Sequence, residues 1–429
     1  MILEWDSNFD GAQTLWLLAA GLFLIAAFLP ACAGLFTGGQ CFRKSQLTVE
    51  QWLTGAALHV AAWILVLHSL AFGPSAGTTP ADVPAAAPQP LEQMIREAAA
   101  VVDRRAFFGR GGFVGDLQFA AFRNLEAQGN AEEPLFASRR PHHSVPLSAW
   151  VYFQLAVYVC AVGSVSAIVA TAGFAARRTL IFSLLWGLLV YVPVAHWVWG
   201  EGWLGIRYAT DAGGSLFPLM LALTAVVLPQ HRIEADTQGT AKAILALCTG
   251  LFWMTFPVLM CSLRIPEPHL RGLVMLNSLA AASGGFLVCC LVKLLSDGKS
   301  VTESSLAGIC CGLSAVAAGC LLLDPMTSMM CGALGTAVAL ILWAFCRNRL
   351  SVDLYRLPIM LIGSSITGLL LVGVFAGSFN GIFHWDKTPV ESLLHGATRL
   401  LQVQSLTIVS VTVWVVAITA ALRRFCLRA

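Results

Sequence analysis

Residues 192–218 read VPVAHWVWGEGWLGIRYATDAGGSLFP and join two apolar runs through one aromatic, glycine-rich turn. Tryptophans such as Trp199 concentrate at membrane surfaces, and the face of the indole ring attracts cations. The next run opens with DAGG, and we expect Pro218 to interrupt its helix inside the bilayer. Interrupted helices at that depth line cavities. The stretch therefore predicts a membrane protein whose route or binding site lies beside these two helices.

The composition places the chain among the integral membrane proteins. Of its 429 residues, 57% are hydrophobic and 11% are charged, whereas soluble proteins carry roughly 25% charged residues. The formal net charge of +3 comes without a basic tail or block, which excludes nucleic acid as a partner. The 13 cysteines lie mostly in apolar runs without the spacing of metal ligands, so we predict no disulfide framework, no metal and no other cofactor.

Eleven apolar runs can cross a bilayer as helices. The fifth, residues 214–227, is short, and we expect its helix to begin near Tyr208. The acidic N-terminus is unlike a signal peptide, so the first run is retained as a helix. Lysines and arginines fall mostly in the loops of one face, which places the N-terminus outside and the C-terminus in the cytoplasm. The sequence thus predicts one all-α polytopic membrane domain over residues 1–429.

One connection differs from the other loops. Residues 74–146 form a long insertion on the predicted outer face, between the second and third helices, and it opens with a Pro/Ala-rich linker. Residues 91–102 have the apolar spacing of a short amphipathic helix, and several phenylalanines follow, among them Phe113 and Phe119. The insertion is either a lid or cap that binds an unknown partner, or a small cap packed on its own protein. We favour the packed cap.

Eight short motifs occur in order along nearly the whole chain. They are LPACAGLFTGG ending the first helix, HSLAFG ending the second, Phe153-Gln154 in the third, VPVAHWVWG closing the fourth, DAGG opening the fifth, LNSLAAAS from Leu276, AGICCGLSAVAAG in the eighth and VDLYRLPIMLIGSSITGLLLVGVFA from Val352. Each motif alone is a weak signal. Together with eleven predicted spans, the series resembles the ammonium transporter (Amt/Mep/Rh) family.

The resemblance implies a homotrimer in the cell membrane. Each subunit of this family has eleven helices, and the first ten form two inverted five-helix repeats around a central pore. In these channel-like transporters an outer tryptophan and serine gather ammonium, stacked phenylalanines gate the mouth, and two histidines face each other at the pore centre. Ammonium, ammonia and the lipid bilayer are therefore the expected partners.

Carried onto this chain, the outer recruitment site of the family is matched only in part. The family tryptophan aligns with Trp199, for which a plain interfacial anchor is the alternative. The first gating phenylalanine aligns with Phe153, and the second falls on Val157 or Tyr158. Thr255 is the nearest candidate for the recruiting serine.

The pore centre departs from the family pattern. Its two histidines fall on Pro218 and Leu361. The supporting aspartate is displaced by one residue onto Asp211, while Asp353 matches one aspartate of the tenth helix, where Arg356 stands in place of another. An isolated charge is costly to bury in an apolar tube. We therefore predict a dry corridor without a proton relay, whose conduction is impaired or altered.

Three functions remain open at this point. The first is an ammonium or ammonia conductor with an apolar pore, which the resemblance favours. The second is a non-conducting ammonium sensor, and the third is an accessory membrane subunit that acts through its outer insertion. The sequence holds no Ser/His/Asp, metal or phosphate-loop arrangement, so we predict that the protein is not an enzyme.

Overall fold

The computed structural model describes most of the chain. The described residues are 11–42, 49–76, 111–122, 145, 147–200, 202–207, 209–229, 238–263, 268–295, 302–349, 353–376, 384–385, 388–389, 393–395 and 398–427. The amphipathic helix predicted at residues 91–102 lies outside them.

Apolar helices, numbered α1 to α11 in chain order, make up the described membrane part of the protein. They are α1 Gly11–Phe36, α2 Glu50–Phe72, α3 Leu147–Thr171, α4 Ala176–Val198, α5 Leu216–Val227, α6 Gln238–Leu263, α7 Pro268–Leu295, α8 Thr302–Ala317, α9 Pro325–Cys346, α10 Arg356–Phe375 and α11 Arg399–Cys426. Short 3-10 helices cover Gln40–Phe42, Ala120–Phe122, Gly205–Arg207, Arg347–Arg349, Asp353–Tyr355 and Leu393–His395. Strands β1 His384–Trp385 and β2 Thr388–Pro389 pair antiparallel.

The length and apolarity of these helices suit them to a bilayer. In the part of the chain that the structure describes, nine helices have at least 18 residues and an apolar window, and α5 and α8 are shorter. The predicted all-α polytopic fold with eleven helices is confirmed. The expected start of the fifth helix near Tyr208 is wrong, because α5 begins at Leu216 and the residues before it form a turn.

Three helices of the first half, α1, α2 and α4, each contain one five-residue π-helical turn. These turns hold Phe28, Trp63 and Tyr191, and all three rings are fully buried. A π turn adds one residue to the helical repeat and so rotates the face that follows. Each of these π turns therefore coincides with a large ring packed in the protein interior.

Helices α7 to α10 approach each other at small residues. A methyl group added at Gly312 of α8 or Gly332 of α9 would overlap the carbonyl oxygen of Ala281 in α7. One added at Gly368 of α10 would overlap the carbonyl oxygen of Ala315 in α8. In lipid the hydrophobic effect does not drive helices together, because the lipid tails are as apolar as the side chains. Helices therefore associate through close packing at small residues such as these.

The described part of the outer insertion, residues 111–122, packs on the protein's own helices. The amide of Gly112 donates a hydrogen bond to Ser75 Oγ at 2.9 Å, just after the end of α2. The indole Nε1 of Trp197, in α4, donates to the carbonyl of Phe113 at 2.9 Å. For this segment, these contacts favour the packed cap over a free lid.

Candidate functional site

The segment before α5 is a hydrogen-bonded turn that carries Asp211. The Asp211 carboxylate accepts hydrogen bonds from the amides of Ser215 at 2.6 Å and Leu216 at 3.1 Å. Amides at a helix start lack acceptors within the helix, so the carboxylate caps α5. From α11, the Gln404 side-chain amide accepts from Thr210 N at 3.0 Å and donates to Thr210 O at 2.7 Å. The charge of Asp211 is therefore committed to backbone amides.

Pro218 and Leu361, at the two positions aligned with the central histidines, are both buried. Because α5 begins at Leu216, Pro218 lies in its first turn, where a missing N–H removes no intrahelical hydrogen bond. The expectation that Pro218 interrupts a helix inside the bilayer is wrong for this reason. Neither side chain has a group that can donate or accept a proton.

Four fully buried rings meet around Phe28, and one of them, Phe217, precedes Pro218 in α5. We name Phe28, Phe217, Phe252 and Phe256 the phenylalanine cluster. The ring centroid of Phe28 lies 5.4, 5.5 and 5.7 Å from those of Phe217, Phe252 and Phe256 respectively. The Phe252 and Phe256 centroids lie 4.9 Å apart. Such separations are those of packed aromatic pairs. The cluster fills the space between α1, α5 and α6 with apolar rings.

A second group of rings lies between α2, α3 and α4, and we name His59, Trp63, Tyr158, Tyr191 and Trp199 the aromatic column. The Trp63 and Tyr158 rings stack with centroids 4.8 Å apart, and Tyr158 meets Tyr191 edge to face at 5.4 Å. Tyr191 lies 6.4 Å from Trp199, which is half-buried at the end of α4. The column thus forms a chain of ring contacts from the candidate recruiting tryptophan to residues buried between α2, α3 and α4.

His59 is the inner member of the column, and both of its ring nitrogens have partners. Nδ1 lies 2.9 Å from the Tyr158 hydroxyl and Nε2 lies 3.0 Å from Ser183 Oγ. Ser183 donates its own hydrogen to the carbonyl of Leu180 at 3.1 Å. Nε2–H must therefore donate to Ser183, and Nδ1 must accept from Tyr158. This arrangement satisfies a neutral imidazole completely.

Three polar atoms of the column have no hydrogen-bond partner among the described residues. They are Trp63 Nε1, the Tyr191 hydroxyl and Trp199 Nε1. A buried donor that stays unpaired costs about 1–3 kcal/mol. A small polar molecule that reached these atoms would offset that cost.

Two predicted recruitment residues contact groups other than Trp199. The ring of Phe153 in α3 is buried and contacts Trp150 at 5.8 Å. Thr255 of α6 is buried and donates to the Leu251 carbonyl of its own helix at 2.7 Å. Of the four predicted vestibule residues, Trp199 and Tyr158 are brought together, and Tyr191 is their common neighbour. Asp353 begins a short 3-10 helix, and its side chain lies outside the described residues.

Two further histidines lie at the outer ends of α2 and α4. His196 Nδ1 donates to the carbonyl of Ala71 at 3.2 Å, so its Nε2 accepts from Ser75 Oγ at 3.0 Å. His68 contacts the rings of Trp63 and Phe119, with centroids 5.6 and 6.4 Å apart. Both imidazoles therefore contact residues of the insertion or of the ends of α2 and α4.

The sequence alone did not single out Tyr191, Phe252 or Phe256. Phe252 and Phe256 are four residues apart on α6, and that spacing was the available sign of a shared helix face. Tyr191 lies eight residues before Trp199, a spacing that falls within the wide stripe of one face of a regular helix. In chemical terms, the cluster is an apolar contact, whereas the column offers ring faces to a small cation and unpaired donors to the lone pair of a neutral amine.

The chain is similar to known proteins over most of its length. The model of the Ammonium Transporter Family matches residues 106–425. An ammonium transporter of Aquifex aeolicus is 23% identical over 403 residues, which cover 91% of this chain and 84% of that protein. The crystal structure of Saccharomyces cerevisiae Mep2 matches with a TM-score of 0.74 at 18% identity, over 97% of this chain and 85% of that one. A structure described as a sensor Amt protein matches with a TM-score of 0.67 at 17% identity, over 97% and 92% of the two chains.

Proposed function

Because the chain belongs to the ammonium transporter family, we propose that it moves ammonia or ammonium across the cell membrane by a route altered at its centre. Its relative in Aquifex aeolicus is named an ammonium transporter. We propose the same substrate for this chain, in a multi-pass membrane protein without enzymatic activity. The unit would be a homotrimer of single-domain subunits, each with residues 74–146 as an outer insertion.

Binding begins at Trp199 in this proposal. Its ring is half-buried at the outer end of α4, where a cation can reach the π-face without losing all of its water. The buried Nε1 has no hydrogen-bond partner among the described residues. Asp211 supports the neighbouring turn, and Phe153 and Thr255 contribute apolar and steric boundaries rather than charge.

The phenylalanine cluster is the main observation that supports a transport route altered at its centre. Ammonium itself cannot pass four buried rings, since an isolated charge costs tens of kcal/mol to place in a medium of low dielectric constant. Only uncharged ammonia fits such a passage, and no side chain of the cluster can return a proton. Transport through the centre would therefore be electrically silent and slow.

Currents in liposomes test this proposal. The purified protein, reconstituted on a solid-supported membrane, should give no ammonium-induced current, while a pH-sensitive dye inside the liposomes should report ammonia entry above that of empty vesicles. Pro218→His with Leu361→His adds the two missing imidazoles and should produce a measurable current. A wild-type current comparable to that of a relative with both histidines would overturn the proposal.

Recruitment is tested separately by calorimetric titration of ammonium. Trp199→Ala should weaken binding roughly fivefold or more, because a cation–π contact contributes about 1–2 kcal/mol. Trp203→Ala is the matched control, since the Arg207 guanidinium already lies 5.6 Å from the centre of the Trp203 ring. Equal losses in both variants would show that Trp199 is an interfacial anchor only.

The closed centre also favours a second function, a non-conducting ammonium sensor. The two functions differ in one measurement: a sensor binds ammonium at Trp199 with no ammonia entry above that of empty liposomes. Binding together with dye-reported entry supports transport, and binding without entry supports the sensor.

A further inference from the structure

A cavity of about 360 Å³ lies between α2, α3 and α4. Of the two ring groups, it meets only the aromatic column, at His59. Its wall is formed by the start of α2, the second half of α3 and the start of α4, and Leu29 of α1 contributes one side chain. His59 lies at its inner end, where it bonds to Tyr158. The cavity opens at the membrane face where α2 and α4 begin, which the charge pattern predicts to be cytoplasmic.

Three of the polar side chains that line this cavity, His59, Ser166 and Thr179, are hydrogen-bonded to the protein. His59 pairs with Tyr158 and Ser183, as described above. Ser166 Oγ donates to the Val162 carbonyl at 2.8 Å, and Thr179 Oγ1 donates to the Phe174 carbonyl at 3.4 Å. The remaining inner wall is apolar, with Val159, Val162 and Leu180. This part of the wall favours an apolar occupant, because a polar one would lose its water and find these three side chains already paired.

The mouth of the cavity has the opposite character. Glu50 and Arg177 both line it, and both are exposed. Among the described residues neither forms an ion pair or a hydrogen bond through its side chain. One negative and one positive charge at the opening of one cavity thus have no partner among the described side chains.

We propose that this cavity binds a zwitterionic phospholipid that carries a primary amine. One acyl chain fills the interior, the phosphate contacts the Arg177 guanidinium, and the ammonium group donates to the Glu50 carboxylate. Arginine recognises phosphate through paired donors. An anionic lipid would satisfy Arg177 but would face Glu50 with repulsion. A lipid with a methylated amine would keep its charge but lose the hydrogen bonds to the carboxylate.

The test measures lipid binding to the purified, delipidated protein. Native mass spectrometry counts retained lipids, and the unfolding temperature is recorded in detergent after addition of phosphatidylethanolamine, phosphatidylcholine or phosphatidylglycerol with identical acyl chains. The wild-type protein should bind phosphatidylethanolamine most tightly and gain the most thermal stability from it.

Gly55 of α2 permits a variant that fills the cavity. A Cβ atom at this position would meet only Leu180 Cδ1, at 3.8 Å, so a larger side chain can extend into the cavity without overlapping the backbone. Gly55→Phe should abolish retention of the lipid, while Gly55→Ala, the matched control, should retain it. The unfolding temperatures of both variants without added lipid show whether Gly55→Phe is folded.

Variants at the mouth of the cavity test how the lipid headgroup is recognised. Arg177→Gln should weaken binding of every phospholipid about fivefold, a typical effect for one basic residue near anionic headgroups. Arg178→Gln is the control, because Arg178 is exposed beside Arg177 but does not line the cavity. Glu50→Gln should remove the preference for the primary amine and raise the affinity for phosphatidylglycerol.

Three results would overturn the proposal. One is wild-type binding that prefers phosphatidylglycerol, which would make the site an anionic lipid site. The second is equal retention of lipid by Gly55→Phe and Gly55→Ala, which would place the lipid elsewhere. The third is equal loss in Arg177→Gln and Arg178→Gln, which would indicate a general surface charge effect.

Discussion

The phenylalanine cluster and the aromatic column are both largely buried, but their side chains differ in polarity. The cluster between α1, α5 and α6 consists of four phenyl rings around Phe28. The column between α2, α3 and α4 contains an imidazole, two phenols and two indoles, with hydrogen bonds at its His59 end. The groups that could hold a proton lie between α2, α3 and α4, whereas the two positions aligned with the central histidines lie in α5 and α10.

Burial alone does not decide where a polar group is tolerated in this protein. His59 stays inside because Tyr158 and Ser183 satisfy both of its nitrogens. In the cluster, a lone imidazole would face only phenyl rings and would pay the full cost of desolvation. A proton relay at the centre therefore needs partner groups around it, and Pro218 and Leu361 lie where such groups would be expected.

The largest effect is expected on truncation of Phe28, which contacts all three other rings of the cluster. Phe28→Ala should destabilise the protein by about 3–5 kcal/mol, as loss of a core phenyl ring does. It should also raise ammonia entry in the liposome dye assay, because the truncation opens a cavity among the rings that fill this space. Phe23→Ala is the matched control, since Phe23 belongs to the same helix and its ring is 43% exposed. A stable Phe28→Ala protein with unchanged ammonia entry would show that the cluster does not obstruct the route.

The cluster also shows what the sequence could and could not predict. Eleven spans and an all-α fold follow from the length and apolarity of the runs, which are local properties. The contact among Phe28, Phe217 and Phe252 depends on how three helices rotate against each other, and Phe28 lies in a π turn that shifts the helical repeat. No periodicity in one helix contains that information.

The start of α5 is a second case in which non-local contacts decided the outcome. The apolar count predicted a helix from near Tyr208, but the turn before α5 is fixed by distant partners. Gly213 N donates to the Ala317 carbonyl at 2.8 Å, and Gly214 has a φ of +85° that ends any helical path. The recruitment set was predicted by alignment alone, and only Tyr158 and Trp199 share a neighbour, Tyr191.

A second prediction concerns Asp211, which holds the helix that brings Phe217 into the cluster. Asp211→Ala should cost about 2–4 kcal/mol, because the buried amides of Ser215 and Leu216 lose a charged acceptor. Asp211→Asn retains one acceptor oxygen and should lose about half as much. Denaturation of both variants in detergent provides the measurement. If Asp211→Asn were as unstable as Asp211→Ala, the charge and not the cap would be what α5 requires.

A third prediction addresses the column. His59→Phe removes the acceptor of the Tyr158 hydroxyl and the donor to Ser183, so it should destabilise the protein by about 1–3 kcal/mol. Tryptophan emission should shift, because Trp63 stacks on Tyr158 at 4.8 Å. Ser183→Ala removes only one of the two partners and should have the smaller effect. Ammonia entry should remain at the wild-type level in both variants, and a loss of entry in His59→Phe would place the route in the column.

The smallest effect is expected outside both ring groups, at Asp324, which caps α9. Its carboxylate is partly buried, which raises its pKa, but hydrogen bonds from the Thr327 side chain and from the amides of Thr327 and Met326 lower the pKa by more, so it lies below the usual value near 3.8. A depressed pKa means that the folded state favours the carboxylate. The resulting stability is fully present above an ordinary aspartate pKa and is lost as the pH falls through the lower folded value.

Asp324→Asn should therefore flatten the acid side of the stability profile and cost about 0.5–2 kcal/mol near neutral pH, the usual range for a lost helix cap. The measurement is the unfolding temperature between about pH 2 and about pH 6, a range that includes the ordinary aspartate pKa near 3.9 and values below it. Asp324→Asn combined with Phe28→Ala separates the two sources of stability, because the residues lie in different helices and their effects should add. An acid profile that changed with Phe28→Ala alone would mean that a titrating group lies close to the phenylalanine cluster, and the contrast between cluster and column would then fail.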